Sequence, residues 1–473
     1  MKKLTNTIRI ILFGLMGLLS FSSCQKWLDV QPEDKFTKDQ IYKTEAGVLE
    51  AYNGLLLKLA SDNLYGNKMT LTNLEVMAHR YRITSSTNPF IDFQEFQYTE
   101  ASPKAFFSGV WSGLYSTIAN INDFTTVLPT VENGMSPQLK QLLIGESIGL
   151  RAFLHFDLLR IFGPAYTEES KTLDAIPYVD KLSTEIQPFL SSELVVSKIL
   201  ADITTAKQIL SAEDVKSLAD SMSYKNNRFN YYAVVALEAR VQQWAGNKEA
   251  ALAAAQEVID AQDRFPWITH QKITANGANP DRKFFTEVIF SIFNNKLYDV
   301  QKEKFDSNLQ ESDILATGQN NLVNLVYENN VSDYRYTYSW PEASTGVAYR
   351  TFVKYQDITD KTITSRYMVP LIRISEMYYI AAESTADQTQ ALSYLNTVRN
   401  HRNLSANITD YAQFENELTK EYMKEFYGEG QLWYFYKRKQ KTNIFSVNTG
   451  DNKLNVTNAA YSVAIPEEET NGR

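Results

Sequence analysis

Residues 142–162 read LLIGESIGLRAFLHFDLLRIF, and this stretch decides the fold because it is apolar on almost every side of a helix. A helix that is hydrophobic all round is buried by other elements. Glu146, Arg151, Asp157 and Arg160 interrupt the run, and four charges at mid-segment argue against a membrane-spanning helix. The stretch therefore predicts a central helix that other helices surround, with its residues in the core.

The two ends of a helix leave local signals, and the C-terminal end of this one is clear. Asp157 and Arg160 are three residues apart, so they share a helix face and can pair. Gly163-Pro164 follows and predicts the end of the helix, since glycine supplies a left-handed cap and proline cannot continue the turn.

Residues 1–23 have the features of a lipoprotein signal peptide that is removed. Three basic residues precede an apolar run at 10–21 that is too short to span a bilayer. Cys24, the single cysteine of the chain, follows directly and is typical of the lipidated residue of a bacterial lipoprotein. Its thiol would carry diacylglycerol and the new amino terminus would be acylated, and several acyl chains make such an anchor stable. The alternative is a soluble secreted protein with an incidental cysteine.

The charge balance excludes one class of partner. Loss of residues 1–23 removes three basic residues and no acid, which leaves 44 basic against 55 acidic residues and moves the net charge from −8 to −11. An acidic chain without a basic tract is a poor candidate for binding nucleic acid. The basic cluster at 437–441 ends a helical run, where complementing a helix C-terminus is the favoured interpretation.

The body of the chain is predicted to be mainly α. We expect residues 24–42 to form a lipid-anchored tether and residues 43–473 a single helical body with a few short strands. Residues 229–261 read as a helix pair with an aromatic first helix and an alanine-rich second helix, which resembles a tetratricopeptide unit. Residues 372–402 form a second pair, and 414–437 a further helical run. Several such hairpins favour a helical scaffold.

Two loop-rich regions, at about 61–102 and 264–367, interrupt this scaffold and are the expected place of ligand binding. Residues 287–292 predict a strand. Residues 334–340 alternate aromatic and polar side chains, which predicts a half-exposed strand with which 349–355 can pair.

Aromatic and arginine side chains of the two regions are the candidate ligand contacts. Aromatic faces stack on sugar rings, while Asn, Asp and Arg bond sugar hydroxyls; a peptide would use the same aromatics together with unpaired strand backbone. The composition therefore leaves glycan and peptide ligands open. The candidates are Tyr65, Arg80, Tyr81, Arg82, Tyr334, Tyr336, Tyr338 and Trp340.

Catalytic and cofactor motifs are missing from the sequence. The four histidines are scattered, and the Walker, dinucleotide, nucleophile-elbow and EF-hand patterns are absent. Glu425 and Glu429 share a helix face, but nearby basic residues favour a structural ion network over acid–base catalysis. Asp306, Glu311 and Asp313 could hold a cation, although a solvated loop face is the favoured interpretation. We expect no cofactor, no metal and no enzymatic activity.

Several segments, in order along nearly the whole chain, resemble the SusD/RagB family of outer-membrane lipoproteins. Cys24, the run 27–29 (WLD) and Pro32 are similar to the family's opening, and 146–163 to its central helix signature. Further similar segments are 373–383 and 395–402 (later helical repeats), 425–438 (the C-terminal signature) and 465–469 (the closing segment).

The resemblance implies a non-enzymatic lipoprotein of the cell outer membrane, anchored through Cys24 and facing the exterior. Such a protein captures an oligosaccharide or oligopeptide and delivers it, as a hinged lid, to a SusC-like TonB-dependent β-barrel transporter. Two alternatives stay open: a surface enzyme that hydrolyses glycans or peptides, and a helical-repeat assembly scaffold that binds no small ligand.

Overall fold

The computed structural model describes residues 38–83, 85–223, 225–318 and 322–471, so the predicted signal peptide, Cys24 and most of the predicted tether lie outside the described residues. The α-helices, numbered in chain order, are α1 Lys38–Ile41, α2 Glu45–Leu59, α3 Asn73–Met77, α4 Ile91–Gln94, α5 Ala101–Val127, α6 Pro137–Phe162, α7 Ser192–Leu210, α8 Glu213–Ser221, α9 Tyr231–Trp244, α10 Lys248–Ile259, α11 His270–Thr274, α12 Leu297–Lys304, α13 Val323–Val326, α14 Tyr334–Ser339, α15 Ile374–Ser384, α16 Gln388–His401, α17 Phe414–Glu425, α18 Gln431–Arg438 and α19 Glu467–Thr470. The strands are β1 Asp174–Ile176, β2 Leu190–Ser191, β3 Val288–Phe293, β4 Met368–Arg373, β5 Asn443–Phe445 and β6 Lys453–Asn455.

Helix α6 is the predicted central helix, and its burial is confirmed. The Ser136 hydroxyl accepts the Leu139 amide at 3.2 Å and caps its start. Every residue from Gly149 to Phe162 is buried, and Arg160 pairs with Asp157, with Nε 3.1 Å from a carboxylate oxygen. The expected left-handed cap is wrong, because Gly163 has an extended backbone (φ −72°); a Cβ there would lie 2.7 Å from the Leu159 carbonyl oxygen.

Helix pairs stack side by side into one layer. Helix α6 packs on α7, α7 on α9, and α9 on its partner α10; α10 then packs on α15, and α15 on α16. The two predicted hairpins are therefore neighbours in space although more than 100 residues separate them in the chain. The prediction of a mainly α, helix-pair scaffold is confirmed, and its hydrophobic core runs from Tyr42 to Val463.

The predicted helical run 414–437 is two helices, because the chain turns between α17 and α18. Gly428 and Gly430 both have positive φ, at +70° and +68°. A Cβ on Gly430 would lie 2.0 Å from the Met69 carbonyl oxygen, while its amide donates to Glu75 Oε1 at 2.8 Å. Glycine is needed here for the backbone conformation and for the close approach of residue 69.

Gly430→Ala is expected to lower the free energy of unfolding by at least about 2 kcal/mol, from the strained left-handed backbone and the forced displacement of Met69. Urea denaturation monitored by circular dichroism measures it. Gly450→Ala is the matched control, since nothing lies within 4 Å of a Cβ built there. Equal stability of the two variants would contradict this account of the turn.

The strand predicted at 334–340 is wrong, because this segment is helix α14. The Asp333 side chain accepts the Arg335 amide at 2.9 Å and caps the helix. Residues 335, 336, 339 and 340 are buried, a helical rather than an alternating pattern. The proposed partner 349–355 contributes only an isolated bridge between Glu342 and Arg350.

Three two-stranded antiparallel sheets are present in the described residues. The strand predicted at 287–292 is confirmed as β3, which pairs with β4 from Val288–Arg373 to Phe293–Met368. Strand β4 leads directly into α15, so the second predicted helix pair begins with two extended residues.

Near the start of the described residues, Tyr42 packs on Phe124 with ring centroids 6.1 Å apart, so the folded body reaches into the predicted tether.

Candidate functional site

Glu425 and Glu429 lie in a buried ion network, which confirms the structural interpretation of this pair. Glu425 accepts from Arg402 at 2.6 Å, from Arg335 at 3.0 Å and from Arg373. Glu429 lies 2.9 Å from Arg373 and also pairs with a buried lysine. Every carboxylate oxygen is occupied and both side chains are buried, so these two acids are held in ion pairs and are not free to act as a hydrolytic pair.

The network holds its acids ionised. Burial alone would raise the pKa of Glu425, but the charges of Arg402 and Arg373 hold it well below its ordinary value. Glu421 lies in the same network, and burial is likewise outweighed by Arg335, so its pKa falls to about 2. Permanently charged acids among permanently charged arginines make a structural centre rather than an acid–base catalyst.

Five of the eight predicted ligand contacts are wrong, because these side chains belong to the core. Each has 3% or less of its surface exposed and a protein partner, which leaves no face for a ligand. Tyr65 donates to Asp157, Arg80 to the Met423 carbonyl, Tyr81 to the Leu71 carbonyl and Tyr336 to Asn324, while Trp340 packs on Phe352 and Tyr427.

Arg82, Tyr334 and Tyr338 keep part of their surface exposed. Tyr334 and Tyr338 lie beside exposed His270, with ring centroids 5.5 and 6.4 Å from the imidazole, and form a small aromatic patch. Arg82 lies where the two predicted loop regions meet: its amide donates to the Ala316 carbonyl at 2.7 Å. These three residues stay candidates.

No group of three or more His, Cys, Asp or Glu side chains is arranged to hold a metal ion in the described part of the chain. Of the acidic loop residues, Asp306 accepts the Asn308 amide at 2.9 Å and Asp313 accepts the Ser312 hydroxyl at 3.0 Å.

Two clefts lie at the two ends of strand β3. The first, named the charged cleft, has a volume of about 360 Å³ and is reached by Val288. Its floor is apolar or aromatic (Leu210, Tyr231, Tyr232, Phe265, Phe285), and its charged residues are Glu146, Lys216, Asp220, Lys225, Arg228 and Arg264. Its volume, like that of the second cleft, falls within the range of small-ligand sites.

The second, named the apolar cleft, has a volume of about 490 Å³ and is reached by Ile292 and Phe293. Leu56 and Leu57 of α2 form its apolar wall. Polar side chains able to bond hydroxyls surround this wall: Asn53, Ser223, Asn227, Arg228 and Thr364.

An aromatic surface, named the ledge, borders the apolar cleft. It consists of Phe293, Tyr298 and Tyr367, with the Tyr367 ring centroid 5.1 Å from Phe293 and 5.4 Å from Tyr298. The Arg366 guanidinium lies 4.4 Å from the Tyr367 centroid and covers one ring face. Phe293 is 37% exposed and Leu57 of the apolar cleft is 58% exposed, so apolar surface available to a ligand continues from the ledge into the cleft.

A short 3₁₀ turn, Lys225–Asn227, separates the two clefts and is fixed to β3. The Ser291 hydroxyl lies 2.9 Å from the Asn226 carbonyl and 2.7 Å from Asn227 Oδ1. Arg228, directly after the turn, lines both clefts and pairs with buried Glu146. Burial would lower the pKa of Arg228, but the Glu146 charge outweighs it and raises that pKa.

Sequence reasoning placed part of this surface and missed the rest. Strand β3 and residues 364–367 fall within the predicted region 264–367, but none of their side chains was singled out. Residues 53–57 and 216–232 belong to helices or turns outside both predicted regions. No local pattern marks Phe293 as exposed, because it directly follows five buried positions of the same strand.

A family model described as SusD family matches residues 214–472, more than half of the chain. The chain belongs to the SusD family. A second model, described as starch-binding associating with outer membrane, matches residues 26–242. The two together cover the SusD-family chain from the predicted tether to its C-terminal segment.

Relatives and solved structures agree with this membership. SusD-like protein P38 of Formosa agariphila is 23% identical, with 93% of each chain covered. A SusD superfamily protein of Bacteroides thetaiotaomicron has a TM-score of 0.71 at 19% identity, covering 90% of this chain and 98% of that one. Surface glycan-binding protein A of the same organism, in complex with laminarihexaose, has a TM-score of 0.67 at 16% identity, covering 91% and 98%. At these identities the structures show a shared fold.

Within the described residues, no helix combines the length and the apolar composition that crossing a membrane requires.

Proposed function

We propose that this SusD-family chain is a glycan-binding lipoprotein of the outer membrane, without enzymatic activity, that presents its ligand on the ledge and the apolar cleft. The observation that carries the proposal is the exposed ring of Phe293, which continues into Tyr367 and Tyr298 beside a cleft lined by amides and hydroxyls. Sugar rings stack on such faces while their hydroxyls bond such groups. A related fold holds laminarihexaose, which supports a glycan over a peptide.

The proposal includes a membrane anchor and a partner. Cys24 would carry the lipid, and residues 25–37 would tether the folded body to the membrane. The partner is a SusC-like TonB-dependent transporter, to which the body delivers glycan by swinging as a lid. The family model described as associating with the outer membrane supports this location. The proposed orientation of the folded body is towards the cell exterior.

Phe293→Ala is expected to weaken glycan binding at least tenfold, because it removes the exposed ring on which a sugar would stack. Binding is measured by screening purified protein against neutral and acidic glycans and peptides, then by calorimetry on the retained ligands. Leu325→Ala removes another exposed apolar side chain and is the control. Tyr338→Ala tests the aromatic patch beside His270 as the competing surface.

The outcomes separate the alternatives. Loss of binding in Tyr338→Ala but not in Phe293→Ala would move the site to the aromatic patch. Binding of peptides alone would mean that the ligand is an oligopeptide. Hydrolysis of a bound polymer would favour the alternative of a surface enzyme. An empty screen would leave an assembly scaffold.

The partner is tested separately by tagging the lipoprotein, extracting the outer membrane in mild detergent and identifying what co-purifies. A large β-barrel protein in near-equal amount is the expected result. A chain that comes out alone from an intact membrane fraction would contradict the lid.

A further inference from the structure

The charged cleft has an excess of positive charge. Four cations line it against two carboxylates, although the whole chain carries a net charge of −8. Such a local excess of cations attracts anions to the cleft even though the protein as a whole is acidic.

Two of the four cations are already neutralised by the two carboxylates. Arg228 binds Glu146 with Nε 3.0 Å from a carboxylate oxygen, and that pair is largely buried. Arg264 binds Asp220 through two nitrogens, at 2.5 and 2.9 Å, near the surface. The hydrogen bonds from Arg264 lower the pKa of Asp220, so its charge persists.

Lys216 and Lys225 are the two remaining cations of the charged cleft. Neither appears among the ion pairs of the described residues, and both are close enough to Asp220 to stabilise its charge. Lys225 is exposed; Lys216 is partly exposed, with its nitrogen 5.6 Å from the centroid of the Tyr231 ring. These two ammonium groups can therefore turn to a ligand without breaking an ion pair.

The aromatic floor makes the cleft suitable for a sugar rather than for a bare anion. The Tyr232 ring packs edge-on against Phe265, with centroids 5.7 Å apart, and the Arg264 guanidinium lies 5.1 Å from the centroid of the same ring. Six positions of β3 lead from Val288 in this cleft to Phe293 at the ledge, about 16 Å along the strand. An oligosaccharide of a few units spans that distance.

We propose that the charged cleft binds an acidic unit of the glycan, a sugar bearing a carboxylate or a sulfate, with Lys216 and Lys225 as the anion contacts. This inference rests on the proposed glycan-binding function and narrows its substrate class from glycans in general to anionic glycans. Lysine suits the task because its ammonium reaches either kind of anion as a point charge.

The test is affinity electrophoresis of the full folded chain in native gels that contain one polysaccharide each. The probes are polygalacturonate, its fully methyl-esterified form, a carrageenan and its desulfated form, so that charge changes while the sugar backbone stays. Retardation by at least one acidic polymer, several-fold above its neutral counterpart and reduced by salt, is expected. Which acidic polymer retards the chain distinguishes carboxylate from sulfate.

The double variant K216A/K225A is expected to weaken that retardation at least tenfold. The matched control K181A/K302A removes the same two charges from exposed positions elsewhere and is expected to bind like the parent. Both keep the ion pairs of Arg228 and Arg264, so loss of folding does not mimic loss of binding.

Four results would overturn the inference. Equal loss in the control variant would reduce the effect to net charge. Equal retardation by neutral and acidic polymers would remove the selectivity. Binding of neutral glycans alone, sensitive to Phe293→Ala, would overturn the inference while leaving the proposed function intact; binding of no glycan at all would overturn both.

Discussion

Glu425→Gln is expected to lower the free energy of unfolding by about 3–5 kcal/mol. Its carboxylate is the shared acceptor of Arg335, Arg373 and Arg402, all buried. An uncharged amide of the same shape leaves three guanidinium groups with one anion fewer. Because water does not reach this site to replace the lost charge, the penalty is that of an uncompensated buried cation.

The measurement is urea denaturation of parent and variant at pH 7, with circular dichroism as the readout. Glu467→Gln is the control, since its pair with Lys104 lies on the surface with both side chains at least half exposed. No measurable change is expected there. A loss below about 1 kcal/mol in Glu425→Gln would mean that the network contributes little to stability.

Acidification from pH 7 to pH 5 is expected to lower the free energy of unfolding by about 4 kcal/mol, through two buried histidines. Burial lowers the pKa of His79 to about 4 and that of His155 to about 3, against an ordinary value of 6.5. Both are therefore neutral in the native state at pH 5, while the unfolded chain binds a proton at each. Native stability is complete above pH 6.5 and falls as the pH drops below it, by about 2 kcal/mol for each histidine at pH 5.

The hydrogen bonds of His155 explain why it stays neutral. The Val179 amide donates to Nε2 at 3.0 Å, so this nitrogen is an acceptor and carries no proton. Nδ1 lies 3.0 Å from the Arg151 carbonyl and donates to it. A second proton would face the Val179 N–H, and the ring is stacked on Tyr178 with centroids 3.9 Å apart, away from water.

Urea denaturation at several pH values between 5 and 7.5 measures how the free energy of unfolding depends on pH. His155→Gln, which cannot titrate, is expected to lose about half of this pH dependence whatever its effect on stability at pH 7. The exposed His270→Gln is expected to keep the pH dependence of the parent. This window lies above the range in which Glu421 and Glu425 titrate, since the pKa of Glu421 is about 2 and that of Glu425 is well below its ordinary value. If the free energy of unfolding of the parent does not change between pH 7 and pH 5, the assignment of this pH dependence to His79 and His155 is contradicted.

The sequence by itself determined the scaffold, because a helix leaves a local record. Residues 142–162 can bury their apolar side chains only at the centre of a helical bundle. In the helix pairs at 231–259 and 374–401, small and aromatic residues at helical spacing mark the faces that contact each other. The ion-network interpretation of Glu425 and Glu429 was also correct, but the expected shared helix face was wrong, because Glu425 ends α17 and Glu429 lies in the turn before α18. The two acids are joined by Arg373, which is distant in sequence and pairs with both.

Only the tertiary structure decided which aromatic side chains are free. The sequence shows that the loop-rich regions contain tyrosines and tryptophans, but the burial of each ring depends on which element packs against it. Tyr81 and Trp340 are covered by residues from distant parts of the chain. The same holds for the two clefts, whose walls come from α2, the 225–228 turn, β3 and residues near 264 and 364. Contacts between residues so far apart in sequence leave no periodicity to read, so the ledge and the charged cleft became visible only once the chain was folded.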